Sequence, residues 1–89
     1  MKTILVIDAQ GGGIGRQVIA ALRKEGLNIH IMAVGTNSAA VSAMLKAGAD
    51  EGATGENAVR VASRRADLIV GPIGIIIADA MLGEITPAM

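Results

Sequence analysis

Thr3-Ile4-Leu5-Val6-Ile7-Asp8-Ala9-Gln10-Gly11-Gly12-Gly13-Ile14-Gly15 is the stretch that decides the fold. Residues 3–7 are a short, continuous, largely β-branched run, the mark of a strand buried on both faces. Residues 9–13 form a turn. Residues 14–25 then have helical spacing, with Ile14, Val18, Ala21 and Leu22 on one face and Arg16, Arg23 and Lys24 largely off it. Gly26 stops that helix from the position after its last turn.

Working outward, residues 29–34 read as a second strand. Asn37 or Ser38 can cap the next helix, whose apolar face holds Val41, Met44 and Leu45 before Gly48 ends it. A very short third strand is expected within 50–54, and a helix over 56–65 with Ala58, Val59 and Ala62 inward and Arg60, Ser63 and Arg64 outward. The alternation Val59-Arg60-Val61 leaves a strand as the other reading there. Residues 67–71 form another buried strand, and 74–82 a strongly apolar helix. Strands alternating with helices imply a parallel sheet with right-handed crossovers. The expectation is a small Rossmann-like α/β domain, an open parallel sheet in the order 3-2-1-4 flanked by helices.

Gly83 closes a helix, and Thr86-Pro87 then signals the start of another. Either these residues form a tail, or a final helix and strand are missing. The second reading is preferred, so the single domain over 1–89 is expected to lack its C-terminal strand.

The composition narrows the chemistry. The chain has 89 residues with 52% hydrophobic content but no Phe, Trp or Tyr, so its core must be aliphatic and closely packed. Eight basic and eight acidic residues give zero net charge, against the basic excess of nucleic-acid binders. Without aromatics there is no stacking platform for bases. Without cysteine there is no disulfide or thiolate, and with His30 as the single histidine a zinc site is not expected. The apolar stretch 73–82 is broken by Gly74 and Asp79 and cannot span a bilayer. The expected location is the cytoplasm.

The glycine-rich turn is where a phosphate loop belongs. A side chain there would hold the backbone away from a ligand, and amides at a helix N-terminus point at an anion. Four glycines within five residues exceed what a tight turn needs. The spacing fits neither standard dinucleotide fingerprint: Gln10 stands at the first glycine of one and Ala9 at the first of the other. Arg16 opposes the helix dipole unless a phosphate balances it, or else it is a solvated cation. Asp8, at the carboxyl end of the first strand, can receive loop amides, bind a ribose or help hold a metal with phosphate; holding the loop is preferred. Gly35-Thr36-Asn37-Ser38 ends the second strand without the acid that commonly holds a ribose 2′-hydroxyl, which disfavours plain NAD. Thr36, Asn37 and Ser38 could meet a second phosphate, as in NADP, or simply cap a helix. Gly71-Pro72-Ile73-Gly74 should reach the same sheet edge. Asp8, Gln10, Gly11, Gly12, Gly13, Ile14, Gly15, Arg16, Thr36, Asn37, Ser38, Gly71 and Pro72 are therefore the candidate ligand contacts, with NAD(P) or another nucleotide the first ligand to try.

No catalytic set accompanies them. There is no Tyr for a Tyr-x-x-x-Lys pair, and Ser38, Ser42 and Ser63 have no triad partners. His30 lies near the start of a strand, opposite the expected ligand edge, and reads as structural. Asp50, Glu51 and Glu56 cluster in sequence as a solvated acidic loop would.

The motifs 7–15, Gly35-Thr36-Asn37-Ser38, residues 43–57 and Gly71-Pro72-Ile73-Gly74-Ile75-Ile76-Ile77 together resemble a family of small bacterial proteins, domain of unknown function family 3842, over nearly the whole chain. Family members usually have Gly where this chain has Ala9, and usually continue past Met89 into another strand. The resemblance implies a Rossmann-like fold and carries no established activity. Three functions are weighed from these observations: a nucleotide- or phosphate-binding module, a self-associating structural module (a dimer, burying 73–82), and a small enzyme using Asp8, Asp50 or Glu56.

Overall fold

The computed structural model of the chain describes residues 1–8, 13–71 and, for the backbone alone, 74–77. Its elements are β1 (Lys2–Asp8), α1 (Gly13–Lys24), β2 (Ile29–Gly35), α2 (Ser38–Ala47), β3 (Glu51–Thr54), α3 (Glu56–Arg65), β4 (Leu68–Gly71) and β5 (Gly74–Ile77). The sheet order is β3-β2-β1-β4-β5. The first four strands are parallel, in the expected 3-2-1-4 order, and three helices flank them.

Strand alternation sorts the core into two layers. Ile4, Val6, Ile31 and Ala33 face one side, where Ile19 of α1 and Met44 of α2 cover them. Leu5, Met32, Val34 and Ile69 face the other, against Ala62 of α3 and Ala66 just beyond it. Crossovers of one hand produce this arrangement. Steps from β1 to β2 to β3 move one way and place α1 and α2 together; the return from β3 to β4 moves the other way and places α3 opposite. The reversal falls between β1 and β4, where open α/β sheets form a crevice at their carboxyl edge.

Five sequence expectations are settled in detail. Asn37, not Ser38, caps α2, its side chain accepting the Ala40 amide at 2.8 Å. Residues 56–65 form a helix rather than a strand, and the short third strand exists. The α1 face is corrected: Gly15, Val18, Ile19 and Leu22 face the sheet, while Ile14 and Ala21 are exposed. The helix axis is set by close approach at Gly15, which rotates Ile14 outward. Leu45 of α2, expected inward, is likewise exposed.

The largest correction concerns 74–82. Residues 74–77 are not helical but form β5, antiparallel to β4, with Gly71 paired to Gly74 and Ile69 to Ile76. Two residues span that hairpin, and three consecutive isoleucines favour an extended backbone over a helix. A short apolar run does not by itself distinguish the two. Residues 78–82 of the expected helix, and the helix-start signal Thr86-Pro87, lie outside the described residues.

At the amino edge of the sheet, an aspartate sets the register of two strand pairs in the same way. Asp50, before β3, donates its amide to the Ile31 carbonyl at 2.9 Å, and its carboxylate accepts the Ile31 amide at 2.8 Å. Asp67, before β4, makes the same reciprocal pair with Thr3, both bonds at 2.8 Å. Each carboxylate does the work of a backbone carbonyl and adds a rung to the ladder.

Candidate functional site

The carboxyl edge gathers most of the sequence-predicted residues. β1 ends at Asp8, paired with Gly35 at the end of β2. β4 ends at Gly71 on the other side of β1, and an added Cβ there meets only Ile7 at 3.9 Å. Gly13, Ile14, Gly15 and Arg16 open α1 above this edge, and Thr36, Asn37 and Ser38 lead into α2 beside it. Gln10, Gly11, Gly12 and Pro72 lie outside the described residues.

Asp8 is 7% exposed and is the one buried charged residue among those described. It shares the strand face of Ile4 and Val6, so it points towards α1, where its Oδ2 accepts the Gly15 amide at 2.7 Å. The carboxylate therefore satisfies one of the amides that the start of a helix leaves unpaired, and complements the positive end of the helix dipole. Holding the loop, the preferred reading of Asp8, is what the geometry displays.

The glycines separate by what they do. A Cβ on Gly15 would stand 2.6 Å from Met44 Sδ and 3.1 Å from Asp8 Oδ2, so helix, strand and α2 close together only over glycine. Gly35 is similar, with Ala40 Cβ at 2.9 Å from its Cβ position. Gly13 differs: among the described residues, nothing lies within 4 Å of a Cβ placed there, and the position opens α1. Next to it, Ile14 is 73% exposed, an apolar side chain at the lip of the crevice.

The acidic cluster is split by β3: Glu56 opens α3 after its carboxyl end, and the other two acids lie elsewhere. Asp50 and Glu51 sit at the amino edge, so the sheet separates them from Asp8. Arg23, from the last turn of α1, bonds Asp50 Oδ2 at 2.6 Å and the carbonyls of Gly48 and Ile29 at 2.9 and 3.0 Å. Arg65, from the last turn of α3, grips both Glu51 oxygens at 3.1 and 3.0 Å. His30 Nε2 lies 2.5 Å from Glu51 Oε2, the structural placement expected for this histidine. The Ile31 amide, with help from Arg23, holds the Asp50 carboxyl below its ordinary range; the Arg65 bonds, then His30, do so for Glu51. These are pairing groups of the fold, with no opening towards the crevice.

Sequence reading missed the clamp made by Arg23 and the two aspartate rungs. The available signal was Ala49-Asp50 and Ala66-Asp67, the same dipeptide ahead of both short strands. A half-open groove of about 110 Å³, lined by Met32, Val34, Ala53, Ala58 and Val61, lies beside β3 on the α3 face and shares no residue with the site above. Among the described residues there is no group of three or more metal-ligating side chains placed to hold an ion, and no helix long and apolar enough to cross a membrane.

Sheet order and reversal point together define a small Rossmann-like α/β domain. The model for the family described as a domain of unknown function, family 3842, matches residues 3–89, and the chain belongs to that family. No curated protein and no solved structure gives a significant match.

Proposed function

We propose that the chain is a cytoplasmic binding domain for a phosphate-bearing small molecule, a nucleotide with NAD(P) first, held at the carboxyl edge between β1 and β4. Gly13 carries the proposal: it opens α1 at the carboxyl edge, and none of the described residues packs against a Cβ placed there. Backbone amides exposed in that way suit an anion. Thr36 and Ser38 at the neighbouring strand end supply hydroxyls, and the exposed Ile14 supplies an apolar contact for a ring.

Asp8 limits where the anion sits. Its carboxylate already occupies the Gly15 amide, so a phosphate belongs on the Gly13 side of the turn, with Arg16 in the same first helical turn to offset its charge. The role is binding, and of the acids weighed for catalysis Asp50 is committed to Arg23, while Glu51, beside it, is held by Arg65 and His30.

The test uses freshly purified protein. Ligand released by denaturation is identified from its ultraviolet and mass spectra; a chain without Trp or Tyr leaves the nucleotide signal unobscured. Calorimetric titration then compares NAD(H), NADP(H), ATP, GTP and flavins. Heat with one of these supports the proposal, and a null across the set with no released ligand contradicts it.

A further inference from the structure

We propose that two copies of this chain join through the outer edge of β3 and the adjoining flank of α2, across a two-fold axis perpendicular to the sheet. The proposal is independent of the ligand reading and rests on edge chemistry, spacing and charge. β3 ends the sheet order, and among the described residues it pairs only with β2. Gly52, Ala53 and Thr54 are exposed and uncharged, without the lysine or proline that commonly guards a sheet edge. The one charged residue of the strand, Glu51, is turned to Arg65 and His30.

Above this edge, α2 lies over β2 and β3. The Cβ position of Gly52 falls 2.6 Å from Val41 and 3.4 Å from Leu45, so Leu45 reaches the outermost strand, yet it remains 42% exposed. By helical spacing Ser38 and Ser42 share its flank, and none of the three is charged.

Spacing selects a second copy as the occupant. Strands lie about 4.8 Å apart, and α2 sits between β2 and β3; a two-fold axis at the outer edge of β3 therefore brings α2 and its copy to about 10 Å, a normal helix-packing distance. The operation that makes the two β3 strands antiparallel does the same for the helices. On the opposite face α3 packs mainly against β1 and β2, and its Arg65 reaches β3 at Glu51. A two-fold interface sets a surface against itself, so like charges must not meet. Pairing Ala53 with Ala53 of the second copy keeps opposed side chains on one face, sets Gly52 across from Thr54, and places Glu51 across from Gly55 rather than from another carboxylate.

Sedimentation and light scattering over a concentration series test this directly. The unmodified chain is expected to dimerise, and the amides of 52–54 to gain hydrogen-exchange protection as concentration rises. Leu45→Glu, which sets like charges across the axis, and Thr54→Lys, which puts a charge on the bare strand edge, should each raise the dimer dissociation constant about a hundredfold. Leu27→Glu, at a residue 50% exposed in the turn between α1 and β2, should leave it unchanged. A monomer from micromolar to millimolar concentration overturns the proposal. So does a dimer that both edge variants leave intact, or one that Leu27→Glu abolishes.

Discussion

At the residue scale, the glycine turn is two kinds of site in one motif. Gly15 is required by packing, because its Cβ position is occupied by Met44 and Asp8. Gly15→Ala should lower stability by about 1–3 kcal/mol in urea denaturation, the usual cost of overpacking. Gly13→Ala should be neutral or raise stability by up to about 1 kcal/mol, since a helix former replaces glycine in open space. Sequence alone showed that the glycines exceeded a turn's needs; it could not say which were spare, because that depends on Met44, 29 residues downstream of Gly15. Asp8 yields a second prediction. Asp8→Asn keeps an oxygen for the Gly15 amide but removes a buried negative charge beside the proposed anion position. Phosphate-ligand affinity measured by calorimetry without divalent cations should rise. A fall would mean that the charge itself assists binding.

At the scale of elements, the sequence was most readable where local chemistry alone sets the boundary. The Asn37 cap, the Gly48 stop and the α3 periodicity depend on neighbours a few residues away, and all were legible. The α1 face and the 74–77 strand were not, because close approach at Gly15 sets one and pairing with β4 the other. The aspartate rungs belong to this scale as well. Asp67→Ala removes the acceptor for the Thr3 amide and should cost about 1–3 kcal/mol, with faster hydrogen exchange at the start of β1. The paired acids set an acid limit. Asp50 and Glu51 titrate lower in the folded chain than they would unfolded. Their contribution is therefore complete above the unfolded values and is lost as pH falls through the folded ones. Thermal stability should decline below about pH 4, and Asp50→Asn with Glu51→Gln should flatten that decline while lowering stability at neutral pH.

At the scale of the whole molecule, the two edges of the sheet divide the work. The amino edge is locked by Arg23, Arg65, Asp50, Asp67 and Glu51, whose bonds fix strand register. The carboxyl edge carries the reversal between β1 and β4, the open Gly13 and the exposed Ile14. The 3-2-1-4 order was legible from alternating strands and helices, since crossover handedness leaves few alternatives. The candidate site was legible as a sheet edge, because every βα turn of a parallel sheet reaches the same one. The division between spare and packed glycines needed the third dimension. The most direct test is calorimetric titration of the nucleotide set into the native chain and into Gly13→Leu, with melting temperatures measured alongside. The account predicts that the native chain binds one of these ligands, while the variant melts at the same temperature or higher and does not bind it. Equal binding by both proteins, or no heat from the native chain with any ligand, would contradict it.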